Sequence, residues 1–383
     1  MNIMSRRKKL LGFIMSILLI AVFTVPVSAD SFEKQEINAD FSEGGHLETD
    51  FGARFMAEWW YLNGKARLVA SDGEVKNIGF FVTLGHQESP LIISDDGTQL
   101  SHLLTFYGIY SDDAKTTFNY NETFIPGTAV SNYIGLNTPH VNYSYPDGEK
   151  NFNGSASTGY TLNYTGDNNV KFDLFFQPDV VNTIDQAALP LNFTTYERSH
   201  GTLKGNIDLN GKKYKVTRAD GYMDHMIPVG DDPWPIYMHG WNWFEVTTKN
   251  YQAVAYAVRG QEDGYSNYSY KHMTLLSRES GKVISEYFGD EIAITETGWI
   301  NETAFIRKRP SKIVFSTDDL KVTVNAKSVI YFDRSDPSTI SGFVDFMAYE
   351  PDDAKIRYNG RTEKGSVFNE YLVSDMGVFL GYN

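Results

Sequence analysis

Three short stretches of this 383-residue chain set carboxylates among bulky aromatics, the pairing needed to hold an acid dry beside an apolar molecule. The first is Gly221-Tyr222-Met223-Asp224-His225-Met226. On a strand, Asp220, Tyr222 and Asp224 share one face, with Met223 and His225 on the other. If the acidic face looks into an apolar barrel, desolvation and mutual repulsion raise at least one carboxyl pKa, and a protonated Asp224 becomes a general acid. The same residues also suit a strand end where Asp224 caps a turn and His225 lies at the surface. The second stretch is His239-Gly240-Trp241-Asn242-Trp243-Phe244-Glu245, preceded by Pro233-Trp234-Pro235. Alternation puts His239, Trp241, Trp243 and Glu245 on one side, where two indoles either pack a core or wall a cavity. An indole-lined cavity suits a polyene or steroid and steadies a carbocation through the ring quadrupoles. The third is Glu58-Trp59-Trp60-Tyr61, in which Glu58 shares a face with Trp60 and is either a hydrogen-bonded strut or a second acid. His86 and His102 are candidates only through their proximity to neighbouring strands.

Other chemistries lack their residues. There is no cysteine, which excludes thiolate catalysis, disulfides and Cys-type zinc sites. No nucleophile elbow, phosphate-binding loop, His-Glu-x-x-His helix or EF-hand loop occurs. The eight histidines never fall at metal-ligand spacing, so no metal and no cofactor is expected. A formal charge of -14 opposes a phosphate-coating surface, and nucleic acid is not an expected partner.

The elements that must position these groups are strands. Asx-Gly turn signals recur from Asn63-Gly64 to Asn359-Gly360, with short alternating or apolar runs between them. Aromatics reach 14%, and outside the N-terminus no segment keeps a 3.6-residue apolar period over three turns. The expectation is an all-β chain of two tandem antiparallel barrels. The polar segment 196–213, ending in Asn210-Gly211-Lys212-Lys213, is the expected junction, dividing the chain into 30–210 and 211–383. Each half opens with a tryptophan-rich strand, which hints at duplication. Before them, Arg6-Arg7-Lys8-Lys9, an apolar run to about Val25 and the small residues Val27-Ser28-Ala29 read as a secretory signal over residues 1–29. An exported, strongly acidic protein is expected, free or associated with the cell envelope or a membrane surface. Seven Asn-x-Ser/Thr sequons, the first at Asn121 and the last at Asn301, belong on the surface if the host glycosylates exported proteins.

Taken in order, Glu58-Trp59-Trp60-Tyr61, Ser101-His102-Leu103-Leu104, Gly221-Tyr222-Met223-Asp224-His225, Gly240-Trp241-Asn242-Trp243-Phe244 and Gly365-Ser366-Val367-Phe368-Asn369-Glu370-Tyr371 resemble the successive signatures of a family. It is the lipocalin-like family of bacterial carotenoid hydratases (hydroxyneurosporene synthases) and AttH-type proteins. The resemblance spans residues 58–371. It implies two lipocalin-like barrels with an apolar cavity near their interface, and cofactor-free hydration or cyclisation of apolar substrates. It places Asp224 at the family's acidic position, and Glu58, Trp60, Trp241 and Trp243 at its acidic and aromatic pocket positions. Tyr222 stands where the hydratases commonly carry Trp.

Two functional expectations follow. In the first, Asp224 or Glu58 protonates an isoprenoid, polyene or lipid bound among Trp60, Tyr61, Tyr222, His225, Trp241 and Trp243, and hydration, cyclisation or isomerisation ensues. In the second, the same cavity carries a hydrophobic ligand unchanged, or is filled as the core of an envelope structural module.

Overall fold

The computed structural model describes residues 43–111, 116–179, 182–188, 191–302, 307–334 and 342–374. The expected signal, 1–29, lies outside them. The chain is all-β and forms two curled antiparallel sheets, two tandem lipocalin-like barrels. No helix among the described residues is long and apolar enough to cross a membrane.

The first sheet holds β1 (Phe55–Ala70), β2 (Val75–Glu88), β3 (Leu100–Ser111), β4 (Thr116–Pro126), β5 (Val141–Ser144) and β6 (Lys150–Ser155). It continues with β7 (Gly159–Gly166), β8 (Val170–Pro178), β9 (Asn182–Ala188), β10 (Leu191–Leu209) and β11 (Lys212–Gly230). The second holds β12 (Met238–Thr248), β13 (Tyr251–Gly260), β14 (Tyr270–Ser277), β15 (Lys282–Phe288) and β16 (Ala293–Glu302). Its remaining strands are β17 (Arg307–Ser316), β18 (Leu320–Asn325), β19 (Val329–Arg334), β20 (Phe343–Tyr358) and β21 (Arg361–Ser374). In each sheet the first strand pairs with the last, β1 with β11 and β12 with β21, and consecutive strands fan out on either side. The two tryptophan-rich strands, β1 and β12, therefore occupy equivalent places.

The expected junction at Asn210-Gly211 is instead a hairpin inside the first sheet. Asn210 and Gly211 both take positive φ, 53° and 79°, the backbone of a type I′ turn, and Leu209 pairs directly with Lys212. An Asx-Gly pair flanked by alternating residues encodes a tight turn, and its polar composition mimics a linker. The chain passes between sheets at 231–237, through the single helical turn Trp234–Tyr237.

Burial along the strands shows where the barrels touch. On β8, Val170, Phe172, Leu174 and Phe176 point into the first barrel, with exposed Lys171 and Asp173 between them. On β13 every residue from Gln252 to Gly260 is buried. Ala253, Ala255 and Ala257 face the core of the second barrel, whereas Val254, Tyr256 and Val258 join a separate cluster with Tyr61, Phe81, Tyr110 and Tyr222 of the first. Strands buried on both sides lose the polar alternation of a surface sheet because one side meets the other barrel. This seam is aromatic, with one buried ion pair, Lys65 Nζ to Glu245 at 2.9 Å, and a hydrogen bond from the Tyr110 hydroxyl to the Met347 carbonyl at 2.7 Å.

Candidate active site between the two barrels

The seam opens into a cavity enclosing about 1170 Å³ of atom-free space, part of it continuous with solvent. It lies between the barrels, and both supply its wall. Indoles line it: Trp59 stacks on Trp241 with centroids 6.4 Å apart, Trp234 lies 5.2 Å from Trp241, and Tyr61 meets Trp243 edge-on at 5.5 Å. Trp241 and Trp243, two residues apart on β12, both face this space, as alternation predicts.

Five carboxyl side chains line the cavity: Glu58 and Glu122, which are held by basic side chains, and Asp224 on β11, Asp345 on β20 and Glu370 on β21. Asp224 is paired in register with Tyr61, and the Tyr222 hydroxyl donates to its Oδ2 at 2.9 Å, while Oδ1 has no partner among the described residues. Burial pushes the Asp224 carboxyl up to about 7, opposed only in part by that hydrogen bond. Asp345 pairs with Leu372 and Met347 with Glu370, so Asp345 and Glu370 are diagonal neighbours on one face of the β20–β21 ladder. Asp345 is likewise pushed up to about 7 by burial. Glu370 lies well above the usual carboxylate range, through burial first and then the nearby Asp345 and Asp224 charges. The one Lys or Arg among the described lining residues is Arg334, which Glu122 holds at 2.9 Å. Glu122 also meets His102 Nε2 at 3.0 Å. Among the described residues no ion pair reaches Asp224, Asp345 or Glu370, and the neutral acid is the form that burial favours.

The other face of β1 and β11 carries a different cluster. Glu58 is buried inside the first barrel, and its Oε1 meets His46 Nδ1 at 2.8 Å and His225 Nε2 at 2.7 Å. Its Oε2 meets His86 Nε2 at 2.5 Å and accepts the His46 backbone N–H at 2.9 Å. Burial alone would raise the Glu58 carboxyl, but the hydrogen bonds from His225, His46 and His86 hold it well below the usual range. His86 moves the other way, up to about 9: burial lowers it, and the bonds to Glu58 and Glu88 more than offset that. Trp60 covers the cluster, stacked on His225 at 4.7 Å and on His86 at 6.4 Å. His46, Glu58 and His225 bring ligand-type atoms within 4.8 Å of one another, as a metal ion requires.

The sequence-derived site thus divides between two faces. Asp224, Tyr61, Trp241 and Trp243 meet at the cavity, and Tyr222 backs Asp224 from beneath. Trp60 and His225 turn inward onto Glu58, because Trp60 pairs with His225 in the register step next to Tyr61 with Asp224. The expected acid role of Glu58 gives way: it borders the cavity, but a carboxylate held ionised by three imidazoles accepts protons. The expected common face of His239 with the indoles also fails. A bulge between Met238 and Gly240 turns the imidazole away to meet Tyr265 edge-on at 4.7 Å. Glu245 does face the seam, where it pairs with Lys65. Asp345 escaped the sequence reading, and Glu370 entered it only within the closing motif. The available signal for Asp345 was one acid in the apolar run Phe343-Val344-Asp345-Phe346-Met347.

Architecture and cavity together define a tandem lipocalin-like protein with a carboxyl-bearing aromatic pocket between its barrels. The fold is that of AttH-type proteins. A candidate AttH protein from Nitrosomonas europaea superposes with a TM-score of 0.56 at 16% identity, covering 87% of this chain and 98% of that one. Kievitone hydratase from Nectria haematococca gives 0.57 at 9%, over 83% of this chain and 89% of its own. CghA, solved with Sch210972, gives 0.55 at 11%, over 85% and 90%. No family model matches the chain, and no curated protein matches it by sequence.

Proposed function

We propose that the cavity binds a hydrophobic small molecule of isoprenoid, polyene or lipid type, and that a neutral carboxyl in its wall protonates it. The observation that carries this reading is the convergence of Asp224, Asp345 and Glu370, without a paired cation among the described residues, beside stacked indoles. Protonating a carbon–carbon double bond needs an acid kept neutral and away from bulk water, which burial supplies. The cation then formed is steadied by the faces of Trp241, Trp243 and Trp59. Water adds to it, or an internal double bond closes on it, and the released proton returns to the carboxylate. The outcome is hydration, cyclisation or isomerisation. That one protein of this fold is named a hydratase agrees with the reading, and the N-terminal basic-apolar-small order supports action outside the cytoplasm.

The test is mass spectrometry of apolar molecules extracted from the purified protein, and again after incubation with a lipid extract. A product heavier by one water, or isomeric with its precursor, formed by the parent and lost in Asp224→Asn and Glu370→Gln, is expected. Ligand returned unchanged by the parent and both variants refutes catalysis and leaves a carrier.

A further inference from the structure

The Glu58 cluster donates no proton in the chemistry just described: Glu58 and His86 border the cavity, but Glu58 is held ionised, and His46 and His225 bond it from inside the first barrel. We propose that His46, Glu58 and His225 form a site for one divalent transition-metal ion of the zinc class inside the first barrel, with His86 holding the second oxygen of Glu58. Three donors arrive from three segments: the stretch before β1, β1 itself and β11. All three, and His86, are buried, with exposures of 2% or less. The approach of the leading segment is built in. A Cβ at Gly45 would fall 2.3 Å from Ile134 Cγ2 and 3.4 Å from Glu58 Oε2, so only glycine lets His46 close over the carboxylate.

A further feature is that of a metal centre. His86 turns Nε2 to Glu58 and Nδ1 to the buried carboxylate of Glu88 at 3.4 Å, and Ser101 meets the other Glu88 oxygen as donor at 2.8 Å. A buried chain of hydrogen-bonding groups that orients a ligating carboxylate is the recurrent outer support of a metal site.

The donor set favours zinc or a neighbouring first-row ion over magnesium or calcium, since two of the three protein donors are imidazole nitrogens. The present N···O distances of 2.8 and 2.7 Å from His46 and His225 to Glu58 are those of hydrogen bonds. Bonds of about 2.0–2.1 Å to an ion displace the protons between donors that already lie within 4.8 Å of one another. The ion would clamp the segment bearing His46 onto β1 and β11, a structural role.

The experiment uses the full untagged chain, stripped with a chelator and titrated with Co2+ and then Zn2+. One equivalent of Co2+ with the visible absorption of a tetrahedral site, displaced by one equivalent of Zn2+, is expected. Zn2+ should also raise the thermal midpoint of the parent by mass action. His86→Gln, which leaves all three ligands, should bind Zn2+ about 10- to 100-fold more weakly. Glu58→Gln and His225→Gln should abolish the cobalt spectrum. Substoichiometric binding with no visible band and no shift of the midpoint overturns the proposal without recourse to any variant. Undiminished binding in Glu58→Gln and His225→Gln overturns it equally, because the ion then sits elsewhere.

Discussion

Replacing Asp345 by asparagine should stabilise the protein increasingly as pH rises from about 4 to about 7, and fully above that. The Asp345 carboxyl titrates at about 7 when buried in the folded cavity wall, against 3.8 for the free side chain. Between about pH 4 and pH 7 the folded chain therefore keeps a proton that the unfolded chain has released. Stability falls as pH rises through that window and levels off above it. Integrated over the window, the loss is on the order of 4 kcal/mol, an upper figure because the site relaxes and water enters as the charge forms. An amide of the same shape has no proton to lose. The difference between Asp345→Asn and parent should be near zero at pH 4 and grow to about 2–4 kcal/mol in favour of the variant at pH 8. Glu370 adds to the effect, since removing the Asp345 charge withdraws one cause of its own raised pKa and leaves burial as the main one. Urea unfolding of both proteins at each half pH unit measures this directly, provided the slopes agree. A difference that does not change with pH, or a parent more stable than the variant at pH 8, would refute a neutral carboxyl at this place.

The remaining predictions concern the reaction and the seam. Turnover assigned to a protonated wall carboxyl should fall as pH rises above about 7, the value for Asp345, and a profile that instead climbs through pH 9 contradicts general-acid chemistry. Lys65→Met strands Glu245 in the seam and should cost about 3 kcal/mol or more, whereas Lys65→Met with Glu245→Leu should recover most of it in a double-mutant cycle by chemical denaturation. Gly79→Leu drives a Cβ to within 2.4 Å of the Tyr349 ring across the seam, and should cost about 1–3 kcal/mol, read as a lowered thermal midpoint.

The fold was legible because its signals are local. Asx-Gly pairs at Asn210-Gly211 and Asn359-Gly360 name their turns, and runs such as Lys171 to Phe176 alternate cleanly. The same locality misled at the junction, where a hairpin turn and an interdomain linker share a composition. In the site, strand parity correctly separated Tyr222 and Asp224 from Met223 and His225. It failed at His239, the bulged residue between the paired Met238 and Gly240, which breaks the alternation at that point. Parity also cannot say which face of a doubly buried strand meets which core. That ambiguity placed Glu58 and Trp60 with the cavity indoles although the first barrel claims them. The partners of Glu58 were not legible, since His46, His86 and His225 stand 12, 28 and 167 residues away and meet only through strand pairing.

These two faces explain why β1 and β11 tolerate so many polar groups in a buried pair of strands. On one side, Tyr61 and Asp224 meet in a space where no cation among the described residues compensates the carboxyl, an arrangement that works against folding once the acid ionises. On the other, one register step away, Glu58 and His225 are bonded at 2.7 Å in a cluster that draws on both strands, on β2 and on the segment before β1. A strand pair pinned from its inner face can carry a destabilising acid on its outer face without slipping, because a shift of one residue would turn Asp224 into the barrel core. The inner cluster therefore acts on the outer site through register, and weakening it should displace Asp224 in the cavity wall.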